Sequence, residues 1–361
     1  MVQGSYLPNE ANRNITWEIA TKTDIGFEAT LWRGLLNIEA DYFHEKRSGM
    51  LLPPAVSVPI EYGLGLADEN AGIMTNTGFE FSLGTQYKFS NGLKLGINGN
   101  MSYAKNKMVQ VFETAATRNN PNRSRTNRPF GTPFGYKSEG IFGTADDKND
   151  DGIIDSKDGY NVAQFGVLHP GDIRYADISG PDGKPDGKID ANDETVIGKP
   201  VAPFLSYGLT PTANWKGFDA SLFFQGSALA SLDIRQFQTI PFNNNNSNSS
   251  YEYYDNHWTP DNQGARYPRA TQAPYSNNTQ ASDFWWTSTA HVRLKTAIIG
   301  YTLPKSVLQA LKIQSVRIYA SGQNLFTVSK LNFMDPEVGY TDRETAYPNQ
   351  KVYVFGLNVT F

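Results

Sequence analysis

Lys351-Val352-Tyr353-Val354-Phe355-Gly356-Leu357-Asn358-Val359-Thr360-Phe361 is the stretch whose reading decides the fold. Tyr353, Phe355, Leu357, Val359 and Phe361 share one parity. Val352, Gly356, Asn358 and Thr360 share the other, with apolar Val354 among them. A period of two with one wholly apolar face is a β-strand. A strand of ~10 residues with an apolar outer face is the unit of an outer-membrane barrel. It also suits the terminal strand of a soluble sandwich or solenoid, so the rest of the chain has to decide.

Working outward, other segments alternate in the same way. Ile25, Phe27, Ala29 and Leu31 share a parity, as do Leu36, Ile38, Ala40 and Tyr42. Phe79, Phe81, Leu83, Tyr87 and Phe89 are followed, across Ser90-Asn91-Gly92, by Leu93, Leu95, Ile97, Met101 and Tyr103. Residues 205–215, 218–224, 292–301 and 316–326 add four more. With the terminal segment these make about nine strands, each near the ~10-residue membrane length. Trp17, Trp32, Trp215, Tyr301 and Tyr353 stand at strand ends, where interfacial aromatic belts sit.

The connections fall into two alternating classes. Trp32-Arg33-Gly34, Ser90-Asn91-Gly92 and Trp215-Lys216-Gly217 read as tight hairpin turns. Residues 304–314 form a modest connection with a helical turn (Val307, Leu308, Leu311). Between these lie long polar connections at 47–76, 107–204, 228–290 and 327–350. Short turns on one side and long loops on the other are the pattern of a membrane barrel, whereas a sandwich has no reason for it. The alternation sends the last strand downward and puts Phe361 at the periplasmic rim.

Composition removes several classes. The chain has 361 residues, no Cys, and 13% aromatics. There is no disulfide framework or thiol chemistry, and no apolar run of the length of a membrane helix. A net charge of -4 argues against nucleic acid as a partner. Met1-Val2-Gln3-Gly4-Ser5 has no positive n-region and no apolar core. For an exported protein this leads us to expect a natural N-terminus further upstream.

The loop 107–204 holds the sharpest motif. Asp147-Lys148-Asn149-Asp150-Asp151-Gly152-Ile153-Ile154-Asp155-Ser156-Lys157-Asp158 reads D-x-N-x-D-G-x-I-D-x-x-D. Calcium takes six to eight oxygens. Asp147, Asn149 and Asp151 occupy loop positions 1, 3 and 5, and Gly152 permits the sharp turn. Ile153 supplies a backbone carbonyl, Ile154 anchors the loop, and Asp155 and Asp158 complete the set. Asp158 is shorter than the usual Glu, which lowers affinity. A weaker second copy uses Asp182, Asp186, Lys188, Asp190 and Asp193 around Gly187 and Ile189. There Lys184 falls at position 3, where it is no oxygen ligand, and Asp177 is a candidate recruit from outside the loop. The competing reading for both is a solvated acidic turn, because flanking helices are not evident.

In the loop 228–290, the polar run 243–250 is surrounded by Tyr251, Tyr253, Tyr254, His257, Trp258, Tyr267, Tyr275, Phe284, Trp285 and Trp286. Exposed rings beside amides suit sugar faces, which makes Tyr251, Tyr253, Tyr254, Trp258, Trp285 and Trp286 candidate substrate contacts. The same rings suit a protein interface, or simply pack the loops on each other. No catalytic constellation is present. His44, His169, His257 and His291 stand in no metal-protease spacing, and there is no nucleophile elbow or phosphate-binding loop, so the chain does not read as an enzyme.

Several strings carry a family resemblance: Asn14-Ile15-Thr16-Trp17-Glu18, Asn76-Thr77-Gly78-Phe79-Glu80-Phe81, and Gly135-Tyr136-Lys137-Ser138-Glu139-Gly140-Ile141-Phe142. They continue with Gly171-Asp172-Ile173-Arg174-Tyr175-Ala176-Asp177, Gly187-Lys188-Ile189-Asp190, Ile197-Gly198-Lys199-Pro200, Arg293-Leu294-Lys295 with Gly300-Tyr301-Thr302-Leu303-Pro304, Gly322-Gln323-Asn324-Leu325-Phe326, Asp335-Pro336-Glu337 and the terminal Gly356 to Phe361. In content and order these resemble the C-terminal part of SusC/RagA-type TonB-dependent transporters of Bacteroidetes outer membranes, over nearly the whole chain. Two departures stand out. Ser179-Gly180-Pro181 stretches the second D-x-N-x-D-G repeat, and Ala290-His291-Val292 replaces the usual lead into the Arg-Leu-Lys strand.

The resemblance implies an all-β chain, residues 1–361 forming the C-terminal part of a 22-stranded transmembrane β-barrel with long extracellular loops. The plug domain lies outside this chain. It implies import of an oligosaccharide or peptide, energised through TonB and ExbB–ExbD, with a SusD-like surface lipoprotein as lid. It also implies an assembly signal at Phe361. Nine strands would make a fragment with an unpaired edge on each side. Two other classes stay open: a porin-like small barrel, needing a further strand for which residues 133–142 are the candidate, and a soluble calcium-binding, glycan-binding β-protein.

Overall fold

In the computed structural model, residues 11–54, 65–118, 120–235, 239–242, 248–271, 276–308, 313–338, 347 and 349–361 are described. Nine long strands form one antiparallel sheet in strict chain order. They are β1 (Ile19–Leu31), β2 (Leu36–Leu52), β3 (Glu69–Lys88), β4 (Lys94–Gln110), β5 (Leu205–Trp215), β6 (Phe218–Ala228), β7 (His291–Thr302), β8 (Ser315–Ser329) and β9 (Val352–Thr360). The expected strand number and the opening stretch are both found as read. Leu311, Tyr275 and residues 243–247 lie outside the described residues.

The register separates the two faces of the sheet. Ile25, Tyr42, Phe79, Tyr103 and Leu205 lie side by side across β1–β5 on the outward face. One residue along, Gly26, Asp41, Glu80, Ser102, Ser206, Ser227 and His291 make the neighbouring row on the inward face. Ile25, Phe27, Leu209, Ile299, Phe355 and Leu357 are exposed. A soluble sheet would have to bury so continuous an apolar surface, whereas lipid covers it. Strand β5, Leu205–Trp215, whose outward residues form part of this surface, has 11 residues. At about 3.3 Å per residue and a tilt of ~45° it spans about 25 Å, the height of the apolar band of an outer-membrane barrel.

Turn chemistry fixes which end is which. Lys216 and Gly217 are both left-handed, φ 49° and 90°, and form the two-residue loop between β5 and β6. That is the hairpin whose twist matches the strands. Trp32, Arg33 and Gly34 are also left-handed, within the four-residue loop 32–35 between β1 and β2. Residues 305–308 carry the short helix expected between β7 and β8, with Leu308 buried. In β9, Gly356 faces inward beneath the ring of Tyr319, which leaves no room for a side chain.

Three expectations change. The connection 47–76 shrinks, because β2 runs on to Leu52 and β3 begins at Glu69: strand pairing continues above the apolar band with polar residues on both faces. Likewise β4 extends to Gln110 and β8 to Ser329. Residues 133–142 add no strand to the large sheet. Phe134–Gly135 pairs with Thr195–Val196, and Ser138–Ile141 with Ile173–Tyr175, within the loop layer. Among the described residues β1 pairs only with β2 and β9 only with β8, so the sheet is an open arc.

Above the arc the two longest loops, together with Leu331 of the last long connection, share a core of their own. Tyr136, Ile173, Tyr175, Ile189, Leu232, Ile234, Tyr253, Tyr267, Trp285 and Leu331 pack together there.

Candidate functional site

The inward face of the arc and the underside of the loop layer border an open-mouthed cavity of about 990 Å³. Glu39 and Asp41 of β2, Glu80 and Ser82 of β3, and Asn100 and Ser102 of β4 line one side. Phe223 and Gln225 of β6, with His291 and Lys295 of β7, line the other. Strand parity places them, since all except the bulged Lys295 alternate with outward apolar residues. At Lys295 the pairing slips by one residue, so this ammonium also turns inward. Glu80 accepts a hydrogen bond from the Ser102 hydroxyl at 3.0 Å. Among the described residues neither it nor Glu39 or Asp41 has a cationic partner.

The roof of the cavity is pinned by charge. Pro336, Glu337 and Val338 form part of its lining. Arg293, 3% exposed, donates to Asp335 at 2.5 Å and to Glu337 at 3.2 Å. Lys295 reaches Glu337 at 3.2 Å, and His291 lies 3.5 Å from it. Burial alone would raise the Asp335 carboxyl. The Glu337 N–H, the Arg293 guanidinium and the Asn349 amide outweigh it and hold the group below the ordinary carboxylate range. Leu331 anchors the other end of this strap in the loop core.

A buried polar seam joins the two long loops. Asp172, fully buried, accepts from Arg269 at 2.7 Å and from the Asn278 amide at 2.8 Å. Asn278 accepts the Ile173 N–H and, through its carbonyl, the Trp285 indole N–H. The Tyr175 hydroxyl donates to the Asn277 carbonyl at 2.8 Å, and burial pushes that phenol well above its usual range.

The acidic turn 147–158 folds on itself. Asp147 accepts the N–H groups of Asp151 and Gly152, and Asp151 that of Ile153. Asp158, buried, accepts N–H groups from Lys148, Asn149 and Asp155, which hold its carboxyl below the ordinary range against the cost of burial. Lys157 sits 3.3 Å from Asp151, and Asp155 accepts the Lys157 N–H. Among the described residues no three His, Cys, Asp or Glu side chains are grouped as a metal site.

The second turn repeats this bonding with a different first residue. Asp177 accepts the N–H groups of Asp186 and Gly187, as Asp147 does for Asp151 and Gly152. Asp193 accepts those of Ile178, Ser179 and Asp190, matching Asp158. Asp186 bonds the Lys188 N–H, while the Lys188 ammonium pairs with Asp190. Asp182 is therefore not the first residue of the turn. It lies with Lys184 in an exposed insert that loops out, and Ser179 stands at the third position. Burial raises the Asp193 carboxyl, the opposite of Asp158.

No protein-family model matches the chain. TonB-dependent receptor P3 of Formosa agariphila is 27% identical over 382 residues, covering 100% of this chain and 36% of that protein. TonB-dependent receptor SusC of Bacteroides thetaiotaomicron is 22% identical over 370 residues, 98% of this chain and 33% of its own length. The fold matches the RagAB peptide transporter with a TM-score of 0.72 at 23% identity, over 98% of this chain and 36% of that one. The chain resembles the barrel region of these SusC/RagA-type TonB-dependent receptors, whose fold it shares. It spans little more than a third of the relatives it matches, and they are receptors and transporters rather than enzymes.

The strings that carry the SusC/RagA resemblance find structural jobs. Gly171 to Tyr175 is the seam between the loops, and Asp335-Pro336-Glu337 is the strap over the cavity. The aromatic set divides. Tyr253, Trp258 and Trp285 are buried, 2%, 6% and 0% exposed, so their faces pack against protein and cannot stack on a sugar. Trp286 is half-buried against Gly198. Tyr251 and Tyr254 are exposed at 87% and 68% on the short helix Tyr251–Asn256. The cavity residues Glu39, Asp41, Glu80 and Lys295 were not among the candidates. Their signal was the polar parity of strands chosen for their apolar one.

Proposed function

We propose that this chain is part of the wall and the extracellular loop layer of an outer-membrane importer for a polar oligomer. TonB and ExbB–ExbD would supply the energy through a plug belonging to the longer protein, and a SusD-like lipoprotein would cover the loops. The observation that supports it most is the two-faced arc: apolar outward over a membrane-high band, polar inward around a roofed cavity. A peptide is the substrate class that best suits Glu39, Asp41 and Glu80, which lack cationic partners among the described residues, since a peptide brings ammonium and guanidinium groups. An oligosaccharide is the second reading, supported by the exposed rings of Tyr251 and Tyr254.

Uptake by cells carrying the full-length protein separates the two. With Glu39→Gln, Asp41→Asn and Glu80→Gln together, import of a lysine-containing labelled peptide should fall several-fold while a neutral oligosaccharide is unaffected. A drop for the sugar alone on Tyr251→Ala with Tyr254→Ala would reverse the choice.

We also propose that the turn 147–158 takes calcium, using Asp147, Asn149, Asp151, Asp155, Asp158 and the Ile153 carbonyl. The self-bonded turn supports this, because the N–H groups of Asp151, Gly152 and Ile153 already orient the oxygens of Asp147 and Asp151. Lys157 would swing out, which its 66% side-chain exposure permits. Calorimetry on the full-length protein should register calcium binding that Asp147→Ala with Asp151→Ala abolishes. Unchanged stoichiometry in that variant would refute the site.

A further inference from the structure

The outward face carries very little charge, and what it carries is of one sign and in one place. From the row of Ile19 and Ser48 down to the short turns, the outward residues of all nine strands include no Asp, Glu or Arg. The ionisable exceptions, phenols aside, are His44 and Lys46 on β2 and Lys105 and Lys107 on β4. They fall in two adjacent rows, Thr23–His44–Thr77–Lys105 and Thr21–Lys46–Thr75–Lys107. The next row down is Ile25–Tyr42–Phe79–Tyr103–Leu205, the upper edge of the apolar band. Lys46, Lys105 and Lys107 are exposed.

The inward side of the same strands behaves differently. Lys22 and Arg47 face inward at this height, and both are paired with Glu45, at 3.2 and 2.9 Å. The outward lysines have no carboxylate partner among the described residues. Like charges gathered on neighbouring strands repel. With β3 between them, Lys46 and Lys107 stand about 10 Å apart, and successive rows are ~7 Å apart. Four-carbon stems let their ammoniums converge over the threonine rows while the stems lie along apolar surface.

We propose that His44, Lys46, Lys105 and Lys107 bind the phosphate of a phosphorylated glycolipid in the outer leaflet. The headgroup would lie against rows 21–107 and 23–105, with its acyl chains on the apolar band below. Height, face and sign all point to that occupant: a soluble anion has no reason to seek the lipid-facing side, and a neutral lipid needs no lysines. The threonine hydroxyls add donors to the phosphate oxygens, and His44, 2.8 Å from Thr77, orients one of them. The inference rests on the membrane reading of the arc.

The test uses the full-length protein in detergent micelles, titrated with diphosphoryl lipid A, with the same lipid dephosphorylated, and with inorganic phosphate, followed by native mass spectrometry. The phosphorylated lipid should bind, and the other two should not compete. At about five-fold per lysine near an anionic surface, K46Q/K105Q/K107Q should weaken binding about a hundred-fold. K46R/K105R/K107R should retain it, and K88Q/K94Q, which neutralises two paired inward-parity lysines at the short-turn ends of β3 and β4, should leave it unchanged. Equal binding of the dephosphorylated lipid, or wild-type affinity in the triple glutamine variant, overturns the proposal. A triple variant that still assembles into the outer membrane but binds no lipid keeps the proposal. A wild-type protein that stays soluble without detergent would remove the membrane reading itself.

Discussion

Phe224→Arg should destabilise the barrel by about 2–4 kcal/mol, the cost of an arginine facing lipid near the bilayer midplane. Phe223→Arg, one residue earlier, should cost much less. Phe224 lies on the outward face in register with Leu209 and Leu294, 6.4 Å from the ring of Phe326, midway along β5. Phe223 faces the cavity opposite Thr296. A guanidinium at 223 meets water and the carboxylates of the inner wall. At 224 it must be desolvated or drag water into the apolar band. Unfolding by urea in lipid vesicles, together with the amount of full-length protein assembled in the outer membrane, measures both. Equal losses from the two substitutions would mean that the faces are misassigned, and the strand parity argued from the terminal stretch would fall with them.

The parity of the strands was legible because it is local. Phe355 and Leu357 repeat every second residue, and so do Phe79 and Phe81, and nothing distant is needed to interpret them. The hairpin turns were legible for the same reason, since Lys216-Gly217 announces its own left-handed pair. Sequence reasoning failed wherever a side chain's fate depends on a partner far along the chain. Trp285 and Tyr253 look like exposed rings in a polar loop. They are buried only because Tyr175, more than seventy residues earlier, packs into the same core. Asp177 could not be preferred to Asp182 from spacing alone: the insert 180–185 conserves the hydrogen bonds of the turn while breaking its count. The strand extensions beyond the apolar band carry no hydrophobic period, so nothing local there distinguishes strand from loop. The inward carboxylates were visible as letters, but polar parity on a barrel strand says only that a residue faces water.

The strap over the cavity yields the second large effect. Asp335→Ala removes the carboxylate that Arg293 meets at 2.5 Å, and Arg293 is 3% exposed. Its Nε already lacks a partner among the described residues. Glu337 alone then faces a buried guanidinium, the Lys295 ammonium and His291. Breaking a buried pair by removing one member costs about 3–5 kcal/mol, because the remaining charge is left without compensation. The strap is fixed at its far end by Leu331, so the loss should appear as release of residues 332–338 from the cavity roof rather than as unfolding of the strands. Hydrogen exchange should rise sharply over those residues in Asp335→Ala and stay unchanged over β3 and β4. Acid should imitate the substitution only at low pH. The Asp335 carboxyl is held below its ordinary value, so its contribution is complete above the unfolded pKa and is lost as pH falls through the depressed folded one. The roof should therefore stay closed through the neutral and mildly acidic range and open only below the usual carboxylate titration.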